Sequence, residues 1–134
     1  MRPILLHTSI LHAYLRGDPH VVATLLRKKP TALCLSAITI HELTFAQQVV
    51  VKQALSIRVE ALIANLAILP FDRPAAVLAG RLQAHAQRDG KIISTLDAQL
   101  AGQALAGKLT LATIRPQDLP VPMLQVHDWS QPGT

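Results

Sequence analysis

The stretch Ile4-Leu5-Leu6-His7-Thr8-Ser9-Ile10-Leu11 constrains this chain more than any other. A short apolar run breaks into three polar residues and an apolar helical pattern follows. The run reads as a buried strand, with Thr8 or Ser9 starting the next helix. In open α/β sheets, ligands sit outside the carboxyl ends of the strands. His7 therefore stands where an enzyme of this class places chemistry.

The same alternation continues to the end of the chain. Ile10 to Leu15 predicts a short helix, closed by the turn Gly17-Asp18-Pro19, and His20 to Lys28 a second one stopped by Pro30. Leu33 to Ser36 reads as a strand. Thr39-x-x-Glu42 has the spacing of a capping box, which starts a helix at Thr39. The helical pattern resumes through Lys52 to Asn65, with Leu55, Val59, Leu62 and Ile63 at helical spacing. Ala67 to Leu69 is another strand. Asp72-Arg73-Pro74 caps a helix that ends at Asp89-Gly90. Ser94-Thr95-Leu96-Asp97 opens the next, Asp97 to Ala106, ended by Gly107. Leu109 to Ala112 reads as a strand, Pro116 to Leu119 as a turn or short helix, and Leu124 to Val126 as an edge strand. Strands alternating with helices predict a short parallel sheet of four to five strands flanked by helices, an α/β domain over residues 1–129. Residues 130–134 read as a loose tail.

Composition supports that reading and narrows the partners. The chain has 134 residues, enough for one core. Half of them are apolar but only 3% are aromatic, so the core must be built from Leu, Ile, Val and Ala. No apolar run approaches the roughly 20 residues of a membrane span, and no signal peptide is evident. The single cysteine, Cys34, excludes a disulfide framework and makes a cytoplasmic location the default. Cys34 reads as a small core residue. The net charge of +5 favours polyanionic partners. Only Arg27-Lys28-Lys29 is clustered, and a helix C-terminus accounts for that equally well.

Eight acids are few enough to test one by one. Asp18 and Asp89 belong to turns, Asp72 to a cap, and Glu60 to a polar helix face. Glu42, Asp97, Asp118 and Asp128 remain. Capping alone explains the first two. Their position argues for more, because Glu42, Asp97 and Asp118 all fall at one edge of the sheet if its strands are parallel. Three converging carboxylates repel one another unless a cation lies between them, and hard divalent cations take oxygen ligands.

Taken together these segments resemble the PIN-domain ribonucleases, in particular the VapC-type toxins of toxin–antitoxin pairs. The resemblance runs through Ile4–Leu11, Leu15-Arg16-Gly17-Asp18-Pro19, Ile38-Thr39-Ile40-His41-Glu42-Leu43 and Leu69-Pro70-Phe71-Asp72. It continues through Asp97-Ala98-Gln99-Leu100-Ala101-Gly102, Leu109-Thr110-Leu111-Ala112-Thr113, Asp118-Leu119 and Val126-His127-Asp128-Trp129. The resemblance implies a three-layer α/β domain that holds Mg²⁺ or Mn²⁺ among four acids and cuts RNA with metal-activated water. It also implies a homodimer and a small antitoxin protein as partner.

The departures cluster at the site. The family's first aspartate is His7 here, its next asparagine Ser9, a later asparagine Ile114, and an aromatic residue Leu119. Glu42, Asp97 and Asp118 match the acidic pattern as metal ligands. Imidazole binds Mg²⁺ poorly, so His7 is either a fourth ligand that shifts the metal preference or is paired to a carboxylate where the metal would sit, which marks an impaired site. An impaired endoribonuclease is the expectation, with a pseudo-nuclease that binds RNA or a partner as the alternative. In a third reading the acids are helix caps only. His12 could face the core or an interface, whereas His20, His41, His85 and His127 carry no special signal.

Overall fold

In a computed structural model, residues 2–50 and 53–130 are described. Five parallel strands form one sheet in the order β3-β2-β1-β4-β5. They are β1 (Ile4–Leu6), β2 (Leu33–Ser36), β3 (Ala67–Leu69), β4 (Thr110–Thr113) and β5 (Val126–Asp128). Six α-helices connect and cover them: α1 (Thr8–Leu15), α2 (Pro19–Arg27), α3 (Ala37–Val49), α4 (Gln53–Ile63), α5 (Arg73–Arg88) and α6 (Thr95–Gly107). The expected α/β architecture is therefore the observed one.

The pleat of β1 decides which helices lie on which side. Ile4 and Leu6 enter a core with Leu11 of α1, Val21 of α2, Leu43 of α3 and Val59 of α4. Leu5 points the other way, to Leu100, Ala101 and Ala104 of α6. Alternation at period two thus divides the molecule into three layers. β1 is fully buried because it sits at the centre, while β3 at one edge leaves Ala67 and Ile68 exposed.

Small residues set the approach of α5 to α6. A Cβ at Gly102 would come within 2.6 Å of the Ala75 carbonyl oxygen and 2.7 Å of the Ala79 nitrogen. No side chain fits there without moving backbone. Gln103 of α6 donates from Nε2 to the carbonyls of Leu69 and Pro70, which ties the same helix to the end of β3.

Several boundaries differ from the sequence expectations, mostly for reasons of capping. Helix α1 starts at Thr8, as one of the two expected starts, and its cap is His7. Asp18 is an N-cap, not only a turn residue, and accepts from the His20 and Val21 amides. Ser36 caps α3 by accepting from Ile38, so Thr39 lies inside the first turn and is no cap. Ser94 caps α6 as expected, which places Thr95 and Leu96 in the helix. The end of α6 is capped by Lys108, in a left-handed conformation at φ 54°. The last strand is Val126–Asp128, two residues later than expected, and it anchors the fully buried Trp129, whose amide donates to Thr113 at 2.8 Å. The expectations for Lys52, for the Leu55 side chain and for residues 131–134 lie outside the described residues. Cys34 is buried, as expected of a core residue, and burial pushes its thiol up to about 11.

Candidate active site

The carboxyl ends of β1, β2 and β4 meet the first turns of α1, α3 and α6 at one edge of the sheet. His7 stands at the centre of this edge. Its backbone is extended (φ −65°, ψ 148°) and its amide donates to Ala112 of β4 at 2.9 Å, so the strand hydrogen bonding holds the residue before the helix begins.

The His7 side chain has two occupied nitrogens. The Ser9 amide donates to Nδ1 at 3.0 Å, which makes the imidazole the N-cap of α1. Nε2 lies 2.6 Å from Asp97 Oδ1. Because Nδ1 accepts, its partners assign the ring proton to Nε2, which donates to the carboxylate. Histidine is not among the favoured N-cap residues. Here one ring supplies both the cap acceptor and a donor to α6.

The network behind His7 is polar and buried. Ser9 Oγ is 2.8 Å from Nδ1 and, with no proton on that nitrogen, donates to it beside the Ser9 amide. The Ile114 amide donates to Ser9 Oγ at 3.3 Å, and Thr113 Oγ1 lies 3.2 Å from the same oxygen. The Arg115 amide in turn donates to Thr113 Oγ1 at 3.0 Å. Every donor therefore points along one chain that ends on Asp97, the sole charged acceptor of that chain.

Burial by itself would raise the pKa of Asp97. The hydrogen bond from His7, the positive charge of that ring when protonated, a hydrogen bond from Ser94 and the charge of Arg115 outweigh it. The carboxyl therefore stays below the usual aspartate range. Both side chains are largely covered, at 11% exposure for His7 and 17% for Asp97.

Glu42 is engaged separately. Thr8 Oγ1 donates to Glu42 Oε1 at 2.6 Å, and Thr39 Oγ1 lies 3.0 Å from the same hydroxyl. Since the Thr8 proton is committed to Glu42, Thr39 must donate to Thr8. Adjacent residues of α1 thus reach opposite neighbours, His7 to α6 and Thr8 to α3. Asp118 ends a 3₁₀ turn (Pro116–Asp118) and pairs with Arg115 through Nε at 2.9 Å. Asp128, the fourth acid left over from the sequence, accepts from the Ser130 amide at 2.8 Å.

Among the described residues, no three His, Cys, Asp or Glu side chains group closely enough to hold a metal ion. The His7 tautomer is a second obstacle to a metal there. To ligate through Nε2 the ring would have to carry its proton on Nδ1, opposite the Ser9 amide. As arranged, the donor set does not fit the divalent ion that the resemblance implies. Arg115 was not singled out in the sequence, yet it pairs with Asp118 and acts on Asp97. Its spacing of three residues from Asp118 was the available signal. His12, His41, His85 and His127 are exposed. His85 pairs with Asp89 at 3.3 Å.

Comparison with known proteins agrees with this geometry. The family model described as PIN domain matches residues 4–115. Toxin FitB of Neisseria gonorrhoeae is 35% identical over 119 residues, covering 82% of this chain and 86% of the relative. The tRNA(fMet)-specific endonuclease VapC of Shigella flexneri is 24% identical over 132 residues, covering 97% and 100%. The solved structure of FitAcB from Neisseria gonorrhoeae superposes with a TM-score of 0.85 at 28% identity, over 96% of this chain and 99% of that one. With His7 at the head of its first helix and no acid there, the chain belongs to the PIN-domain family, among the VapC-type toxins.

Proposed function

We propose that this protein is the toxin-side member of a toxin–antitoxin pair whose metal-dependent RNA cleavage is strongly impaired. RNA remains the substrate class, and a small antitoxin protein and a second copy of the chain are the partners. The relatives named as a toxin and as a tRNA endonuclease support the class. The observation that carries the impairment is the 2.6 Å bond from His7 to Asp97. In this reading Glu42, Asp97 and Asp118 are the remaining acids of a cleavage site. The Nε2–H of His7 occupies the Asp97 oxygen that a cation would otherwise contact. Glu42 is held by Thr8, and Asp118 by Arg115.

An RNA cleavage assay with Mg²⁺, then Mn²⁺, tests this. The His7→Asp variant is expected to exceed the parent chain by at least about 100-fold, the upper range for losses around a metal site. Parent cleavage equal to that of H7D, and abolished by Asp97→Asn, would overturn the impairment. A second reading, a pseudo-nuclease that only binds, is favoured by Ile114 at the position where the family has an asparagine. It predicts that H7D stays inactive while RNA or partner binding persists.

A further inference from the structure

A groove of about 540 Å³ runs between α5 and the segment 120–123, away from the His7–Asp97 edge. Its floor is aliphatic, with Leu82, Leu105 and Val121 half-buried, and Met123 stands 76% exposed at its lip. Arg81 and Arg88 line its rim. Both are exposed, and among the described residues neither forms an ion pair, whereas the neighbouring His85 is matched by Asp89. Seven residues separate the two arginines, so they lie on one side of α5 about 10.5 Å apart along its axis.

We propose that this groove docks an amphipathic acidic helix of a partner protein, with aliphatic side chains on the floor and two carboxylates on Arg81 and Arg88. An aliphatic floor bounded by cations matches the mode in which a helix lays one apolar face into a groove. The exposed methionine suits it, because an unbranched thioether adapts to the side chains it meets. Acids seven residues apart on the incoming helix meet arginines at that same spacing. Guanidinium groups bind carboxylates through paired donors.

Two other occupants fit less well. A nucleic acid strand would find no Phe, Tyr or Trp to stack on, and the one aromatic ring in the lining, His85, is paired with Asp89. A second copy of this chain would have to supply paired acids, and seven of its eight are engaged. Asp18 and Asp72 cap helices, and Glu42 accepts from Thr8. Asp89, Asp97 and Asp118 are ion-paired, and Asp128 accepts from Ser130. Only Glu60 is left. The groove is independent of whether the chain cuts RNA, so it stands or falls separately from the proposed function.

The test measures fluorescence anisotropy of a labelled helical peptide carrying leucines at helical spacing and glutamates seven residues apart. Controls are the same peptide with glutamine for glutamate, and oligouridine. The parent chain is expected to bind the acidic peptide at least about tenfold more tightly than the glutamine control, weakening with salt. Arg81→Glu/Arg88→Glu should lose that preference, and Met123→Glu should weaken binding of both peptides. These positions are exposed, and circular dichroism confirms that the variants fold. No binding by the peptide, or equal binding by the double variant, overturns the proposal. Oligouridine bound through these arginines in preference to the peptide overturns it in favour of RNA. Self-association lost in the double variant overturns it in favour of a second copy.

Discussion

The two helical layers that flank the sheet carry its two central acids in different ways. Asp97 rides on α6, which is locked against α5 at Gly102 and tied to the end of β3 by Gln103. Glu42 rides on α3, which exposes Phe45 at 66% and Val49 at 65%, and α4 exposes Ile57 at 62%. One layer spends its small residues on close backbone contact. The other leaves apolar side chains further into water than the 42% of Val77 on α5 and of Leu96 on α6, a pattern that marks surfaces used for association. The acids reflect this. Asp97 is met by an imidazole that also caps α1, whereas Glu42 is met by a single hydroxyl. The rigid layer fixes its acid by position and charge, and the open layer holds its acid by one neutral donor.

That contrast can be broken at its most rigid point. Gly102→Leu is expected to cost about 3 kcal/mol, the upper end of ordinary overpacking, because the obstructing atoms are backbone. Urea denaturation measures it, and a change below about 1 kcal/mol would mean the layer is looser than the close approach indicates.

His7→Ala removes the cap and leaves Asp97 without its donor, an expected loss of about 2 kcal/mol at neutral pH. The folded pKa of Asp97 is depressed, so its contribution is present above the ordinary carboxyl value of 3.8 and is lost as pH falls through the lower folded value. The stability curves of parent and variant should therefore draw together below about pH 4. Parallel curves down to acid would show that the His7–Asp97 bond contributes no pH-dependent stability.

Thr8→Val sharpens the comparison on the other side. It removes the donor to Glu42 and is expected to cost about 1 kcal/mol, less than His7→Ala. A larger loss than His7→Ala would reverse the ranking of the two layers. Phe45→Ser should be the mildest, within about 0.5 kcal/mol in the isolated chain, because that ring is already in water. A thermal melt that falls markedly would mean Phe45 is held more firmly than its exposure shows.

Much of the fold was legible along the chain because it depends on local signals. Runs such as Leu33–Ser36 and Ala67–Leu69 coincide with their strands, and Asp72-Arg73-Pro74 marks the start of α5. The cap of α3 was misplaced because more than one polar residue could serve. Only the path of the backbone selects Ser36 over Thr39. Val126–Asp128 was set two residues early because an edge strand has little apolar pattern to mark it. At the site, the positions of His7, Glu42, Asp97 and Asp118 could be singled out from residue type and order, but their partners could not.

Sequence by itself determined the class of fold and the missing negative charge at position 7. These follow from periodicity and residue identity, which are local. Only the tertiary structure decided that His7 binds Asp97 and not a free ligand position, that Thr8 reaches Glu42, and that Arg115 pairs with Asp118. Hydrogen bonds act over about 3 Å, and 90 residues separate His7 from Asp97 along the chain. The order of strands in the sheet, not their order in sequence, brings such groups within that distance.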